Sequence, residues 1–319
     1  MSLDLHTQYA RNIAATSSLA VSFLVFALKL LAWRQSGSSA LLSDALESIV
    51  NIVAALFALF AIRFANKPAD RDHPYGHGKI EYLSAAFEGG LVGFAAITIV
   101  YTAIRSMVVG PELHDLDRGL ALAGAATVLN LLLGIALLRA GHRHASPTLV
   151  ADGHHVLSDV WVTVGAVIGV VLVRLTGVRM FDPLAALGVA LLLLRTGWKL
   201  VVESAAGLLD REDPALLVRL VDAFNACELP GIGGVHRLRA IRSGNVVHVD
   251  AHVYVPEDWS VRRAHEVARE LERHVQERSG IIGEIALHLD TWPAEGAPPR
   301  RVTLEQATAA GPDPAGHSS

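Results

Sequence analysis

Apolar residues gather in six runs, at 13–33, 41–64, 82–108, 119–138, 156–175 and 184–208, separated by short polar stretches. Each approaches the roughly 20 residues needed to cross a hydrocarbon core of about 30 Å. The pattern therefore predicts six transmembrane helices over residues 1–209. The first run is of spanning length and lacks a small-residue cleavage site, so it reads as a retained helix. After Leu209 the period changes. Residues 214–228 repeat Leu216, Leu217, Leu220, Val221 and Phe224 on one helical face, and 230–234 break that helix. Residues 235–241 and 246–255 alternate as strands around Ser243, Gly244 and Asn245; 259–277 form a charged amphipathic helix and 285–290 a last strand. The order αββαβ predicts a small cytoplasmic α/β domain over 210–293. The run 294–319, rich in Pro, Gly and Ala, is expected to be disordered.

Composition supports a membrane protein. Of 319 residues 52% are hydrophobic and 18% charged, with a mean hydropathy of +0.40, too apolar for a soluble domain of this length. A net charge of −4 without clustered Lys and Arg argues against nucleic-acid binding. The single cysteine, Cys227, excludes a disulfide framework and a CxxC metal clip, whereas 15 histidines can supply metal ligands. Arg11, Arg63, Lys67, Arg71, Lys79, Arg139 and Arg143 outnumber Arg34, Arg105, Arg118, Arg174 and Arg179 across the two sets of connections. That bias places both termini in the cytoplasm, which suits a bacterial inner membrane.

Polar residues inside apolar runs need a reason, because a central charge costs at least about 2.5 kcal/mol on insertion scales. Glu47 with Asn51, and His155 with Asp159, are two pairs at four-residue spacing. Residues four apart share a helical face, so two packed helices can offer four nitrogen and oxygen ligands to one divalent ion. The alternative is interhelical hydrogen bonding. Asp44 and Asp152, one turn or less before each pair, read as entry-path or helix-end residues; Glu88 and Asn130 read as packing contacts, and Lys29 and Arg195 as cations that snorkel or pair. Asp70, His73 and His77 lie in the loop after the second run at spacings that allow chelation, although a loop also holds histidines merely because they are solvated. His142 and His144 read as solvated loop residues. In the second strand His248, Asp250 and His252 share one face, and in the last strand His288 and Asp290 do the same.

GSSALLSDALESIVN, ADRDHPYGHGKIEYLSA, ADGHHVLSDV and a His-bearing domain after LLDRED together resemble the cation diffusion facilitator family over nearly the whole chain. The resemblance implies a homodimeric metal/proton antiporter in the lipid bilayer, with protons as counter-substrate. It implies a transport site at Glu47, Asn51, His155 and Asp159, and a loop metal site at Asp70, His73 and His77. It also implies a charge pair of Lys79 with Asp210, and regulatory ligands at His236, His252, His265, His288 and Asp290 between subunits. His248 is an additional candidate, and His274 reads as surface. This chain departs from the family at Glu47 and Asn51, where Asp or His is usually followed four residues later by Asp.

The expected function is efflux of divalent transition metal, Zn²⁺ placed first, by a transporter rather than an enzyme and with no organic cofactor. Metal ions would be both substrate and regulator. Alternatives are an exporter selective for Fe²⁺, Co²⁺, Ni²⁺ or Mn²⁺, and a non-transporting metal-sensing or scaffolding subunit. An alkali-cation transporter would leave the histidines idle, and an intramembrane metalloprotease would need a motif such as HExxH, which the chain lacks.

Overall fold

The computed structural model describes residues 2–36, 39–109, 120–178, 180–244, 246–292 and 300–309, with side chains left out at 2–5, 35–44, 46, 47, 109, 120–123 and several positions between 166 and 182. The chain divides into two compact units, Met1–Leu209 and Asp210–Ser319.

The first unit is a helical membrane domain with six helices among its described residues: α1 (Ser2–Ser36), α2 (Ser39–Ala65), α3 (Ile80–Val109), α4 (Leu120–Arg143), α5 (Pro147–Thr176) and α6 (Phe181–Leu208). Over their described residues, all but α5 are long and apolar enough to cross a membrane. With 30 residues, α5 is as long as α3. Large apolar side chains such as Phe94, Ile97, Leu132 and Leu191 point outward, as a lipid surrounding requires. The helices approach one another through small residues, because lipid supplies no hydrophobic drive for their association. A Cβ at Gly197 of α6 would stand 2.7 Å from the Gly89 carbonyl oxygen of α3, and one at Gly153 of α5 would stand 3.0 Å from the Leu138 backbone nitrogen of α4. These positions admit no larger residue without spreading the pairs.

Sequence periodicity placed the start of the fifth apolar run at 156, yet α5 begins nine residues earlier. Ser146 caps it by accepting the Leu149 N–H, and Pro147 occupies the first turn. Consequently Asp152, His155 and Asp159 are all inside the helix. A buried ion pair links Arg11 of α1 to Glu81 in the first turn of α3; Ser146 Oγ donates to Glu81 Oε2, and Thr148 Oγ1 donates to the Glu81 carbonyl oxygen at 3.2 Å. The first halves of α1, α3 and α5 are thereby joined at one end of the bundle.

The second unit runs α7 (Pro214–Asn225), β1 (Val235–Ser243), β2 (Val246–Val255), α8 (Val261–Ser279), β3 (Gly283–Thr291) and α9 (Leu304–Thr308). Its sheet has the order β1-β2-β3, with β1 antiparallel and β3 parallel to β2. Alternation along β2 buries Val247, Val249, Ala251 and Val253 against Leu216 and Leu220 of α7 and Leu271 and Val275 of α8. The opposite face carries His252. Register then aligns His236, His252 and His288 in one row across all three strands.

The disorder expected beyond 293 does not extend over 300–309. Thr303 opens α9 with a capping box to Gln306, and Ala307 is fully buried. Asn225 donates to the Val302 carbonyl oxygen at 2.8 Å and accepts its N–H at 3.0 Å; Arg300 reaches the Cys227 carbonyl oxygen at 2.9 Å. Pro, Gly and Ala dominate the composition of the tail, but Val302, Leu304 and Ala307 supply enough apolar surface to dock it on the core.

Candidate metal centres

In the membrane unit α2 and α5 bring Asn51, His155 and Asp159 together. Asn51 Nδ2 donates to Asp159 Oδ2 at 2.6 Å, and His155 Nε2 lies 3.0 Å from Asn51 Oδ1. If the amide nitrogen faces Asp159, its oxygen faces the imidazole, and His155 carries its proton on Nε2. Asn51 and His155 are buried, and Asp159 is half-buried. Asn130 of α4 adds its amide nitrogen at 3.4 Å from Asp159 Oδ2. Asn130, which reads from the sequence as a packing contact, therefore belongs to the cluster, and the signal for it is an amide in an apolar run. The backbone of Glu47 lies one helical turn before Asn51 on α2, while its side chain, like that of Asp44, is outside the described residues. The cluster offers imidazole nitrogen, carboxylate and amide oxygen in one enclosed place. A cation that entered it would replace the amide bridge as the link between His155 and Asp159.

The loop after α2 folds Asp70, His73 and His77 so that one ligand atom from each lies within 4.8 Å of the others. Asp70 accepts the backbone N–H groups of Asp72 and His73 at 3.0 and 2.7 Å, and the His73 bond holds its carboxyl below the ordinary value. His77 Nε2 stands 3.3 Å from Asp70 Oδ2, with its ring buried edge-on against Phe64. Asp70 and His73 are exposed, so the set faces solvent on one side.

On the sheet of the second unit three imidazoles converge on one carboxylate. His236 Nε2 and His252 Nδ1 lie 2.9 and 3.0 Å from Asp290 Oδ2, and His288 Nδ1 lies 2.8 Å from Oδ1. Burial lowers the His236 pKa despite the nearby carboxylate. Burial raises the Asp290 carboxyl, but the His252 hydrogen bond and the surrounding imidazoles outweigh it, and the net shift is downward. A neutral imidazole beside an ionised carboxylate is the protonation state that binds metal. Tyr254, not singled out from sequence, stacks on His236 with ring centroids 4.2 Å apart.

Other expected residues fall elsewhere. His265 is exposed on α8, in the layer opposite the His252 face, and the single chain does not bring it into the group. His248 is half-buried two positions along β2 and also stands apart from the group, as does the half-buried His274 on α8. His142 is exposed; His144 is half-buried, and burial lowers its pKa. Arg195 is exposed on α6 and Lys29 is buried on α1. Lys79 belongs to the first unit and Asp210, at φ 58°, opens the second.

The cation efflux transmembrane domain family matches residues 15–209, and the cation efflux protein cytoplasmic domain family matches 220–292. The chain belongs to the cation diffusion facilitator family. Curated relatives agree along most of its length. The "uncharacterized transporter sll1263" of Synechocystis sp. is 39% identical over 278 residues, 86% of this chain and 89% of the relative. The "cation-efflux pump FieF" of Pectobacterium atrosepticum is 30% identical over 277 residues, 86% and 91% of the two chains, and the pump of that name in Yersinia pestis is 30% identical over 271 residues, 83% and 88%. This cation diffusion facilitator is thus a multi-pass membrane transporter of cations. The matched ranges contain all three clusters, whereas α9 lies beyond residue 292.

Proposed function

We propose that this transporter moves a divalent transition-metal cation out of the cytoplasm in exchange for protons, as a homodimer in a bacterial inner membrane with both termini cytoplasmic. The observation that carries the reading is the convergence of Asn51, His155 and Asp159 from two apolar helices on one enclosed spot. Glu47 completes the ligand set from the turn preceding Asn51. Metal binds neutral imidazole and ionised carboxylate, protons bind the same atoms, and so the two compete. If the site opens to each side of the membrane in turn, that competition exchanges one for the other. Zn²⁺ is the first choice for a mixed nitrogen and oxygen set. The amide of Asn51 favours a second reading, a harder ion such as Mn²⁺, because it offers a neutral oxygen where a second carboxylate would carry charge.

The His236, His252, His288 and Asp290 group is the regulatory site in this reading. Its occupancy would bias the membrane unit by binding one conformation more tightly than another. Asp70, His73 and His77 form a further metal site, and Lys79 with Asp210 the charge pair between the units. His265 becomes a ligand only if the homodimer brings it near a metal. The test is the chain in proteoliposomes with metal entry and lumenal pH recorded together. Native protein should couple the two fluxes, and an ionophore that collapses the proton gradient should stop metal accumulation. Accumulation that survives the ionophore would overturn the exchange.

A further inference from the structure

The two buried acids of α3 are treated differently. Glu81 is matched by Arg11 and Ser146, but Glu88 faces another acid, Asp152 of α5. Glu88 is 0% exposed and Asp152 1%. Both carboxylate oxygens of Glu88, and Oδ2 of Asp152, have no hydrogen-bond partner among the described residues. Two hydroxyls line the same place. Ser84, one turn before Glu88 on the same face of α3, is fully buried with an unpartnered Oγ, and Ser18 of α1, also fully buried, has its hydroxyl directed at the Asp152 carboxylate. Carboxylate oxygens enclosed without a donor are costly, and repacking three helices would ordinarily avoid them.

Depth along the bundle gives the arrangement meaning. Arg11, Glu81 and Ser146 form a layer at one end. At 1.5 Å per residue, Ser18 and Glu88 each lie about 10 Å deeper along their helices, and Asp152 about 9 Å. His155 follows at about 13 Å and Asp159 at about 20 Å on the same scale. Three helices therefore place oxygen atoms at one level, above the Asn51, His155 and Asp159 cluster.

We infer that Ser18, Ser84, Glu88 and Asp152 line a second, oxygen-only site for a divalent cation, which the ion occupies between the loop-bearing end of the bundle and the His155 cluster. This rests on the transport reading for its role as a way-station, but not for binding. Two carboxylates balance the charge of the ion, and two hydroxyls add neutral oxygens, a set that suits a partly hydrated hard cation and lacks the imidazole of the deeper site. An ion would thus shed water in two stages, first to oxygen ligands and then to the nitrogen-containing set.

The experiment uses the full chain in lipid nanodiscs titrated with Mn²⁺, the bound ion being counted by loss of the free Mn²⁺ spectrum in electron paramagnetic resonance. Glu88→Gln and Asp152→Asn should each lose one bound equivalent relative to native protein, and Glu88→Asp should keep it. Ser18→Ala with Ser84→Ala, which leaves charge untouched, should weaken Mn²⁺ binding at that equivalent and so decides the matter if an acid variant fails to fold. Unchanged Mn²⁺ binding in the folded serine double variant, or an unchanged count in a folded Glu88→Gln variant, overturns the site. Metal flux through His155→Ala in proteoliposomes is read separately. Its persistence would sink the transport reading while leaving a Glu88-dependent equivalent intact.

Discussion

The membrane cluster and the sheet cluster use the same chemistry in opposite surroundings. Between α2 and α5, one imidazole and one carboxylate are bridged by an amide inside apolar helices. On the sheet, three imidazoles share one carboxylate on an open face, with His288 66% exposed. The membrane set has few candidate ligands, and each counts. The open set has imidazoles to spare and exchanges with solvent. The first arrangement suits occlusion and exchange of an ion, the second reversible sensing.

Asp159→Asn should break the comparison most severely. Removing the carboxylate that Asn51 and Asn130 both address should lower metal flux in proteoliposomes by roughly 100-fold or more, proton movement falling with it, at a loss of about 2.8 kcal/mol. Persistence of both fluxes would remove the enclosed cluster from the mechanism. Next in size is Asp290→Asn, where a carboxylate shared by three imidazoles becomes neutral. Calorimetric titration of the full chain should show the metal affinity of the sheet site falling about 10-fold to 100-fold, with the membrane site still binding. An equal loss at both sites would mean that the two clusters are not separate.

Asn51→Asp sharpens the contrast instead of breaking it. A second carboxylate in the enclosed set should shift the ratio of Zn²⁺ to Mn²⁺ transport by about 10-fold, or about 1.4 kcal/mol. An unchanged ratio would show that Asn51 orients its neighbours without binding the ion. The smallest effect belongs to the tail. Asn225→Ala removes both hydrogen bonds to Val302 at about 1 kcal/mol each. Faster amide hydrogen exchange should follow over 300–309, with β2 unaffected. Equal protection in the variant would mean that the Ala307 contact alone holds α9.

Much of both clusters was legible because period and chemistry coincide. Four-residue spacing put His155 and Asp159 on one helical face, and period-two alternation separated His252 from the valines of β2. His248 and Asp250 obey the same alternation yet stand outside the cluster around Asp290. Their exclusion comes from register, which sets His252, and not His248, opposite both His236 and His288. Asn130 and Glu88 each looked like a packing residue, since one polar side chain in an apolar run has no pattern of its own. Hydropathy marks the apolar run from 156, whereas α5 begins at its Ser146 cap.

The sequence alone determined that this chain crosses a membrane repeatedly, carries an α/β domain behind the helices and belongs with metal transporters. Those properties follow from local period, composition and short motifs, and each is written in neighbouring residues. Only the tertiary structure decided that Asn51 bridges His155 to Asp159, that Arg11 neutralises Glu81 but leaves Glu88 facing Asp152, and that three strands align three imidazoles on Asp290. Such contacts join residues up to 108 positions apart. They depend on which helix faces meet and in which register strands pair, and those are properties of packing.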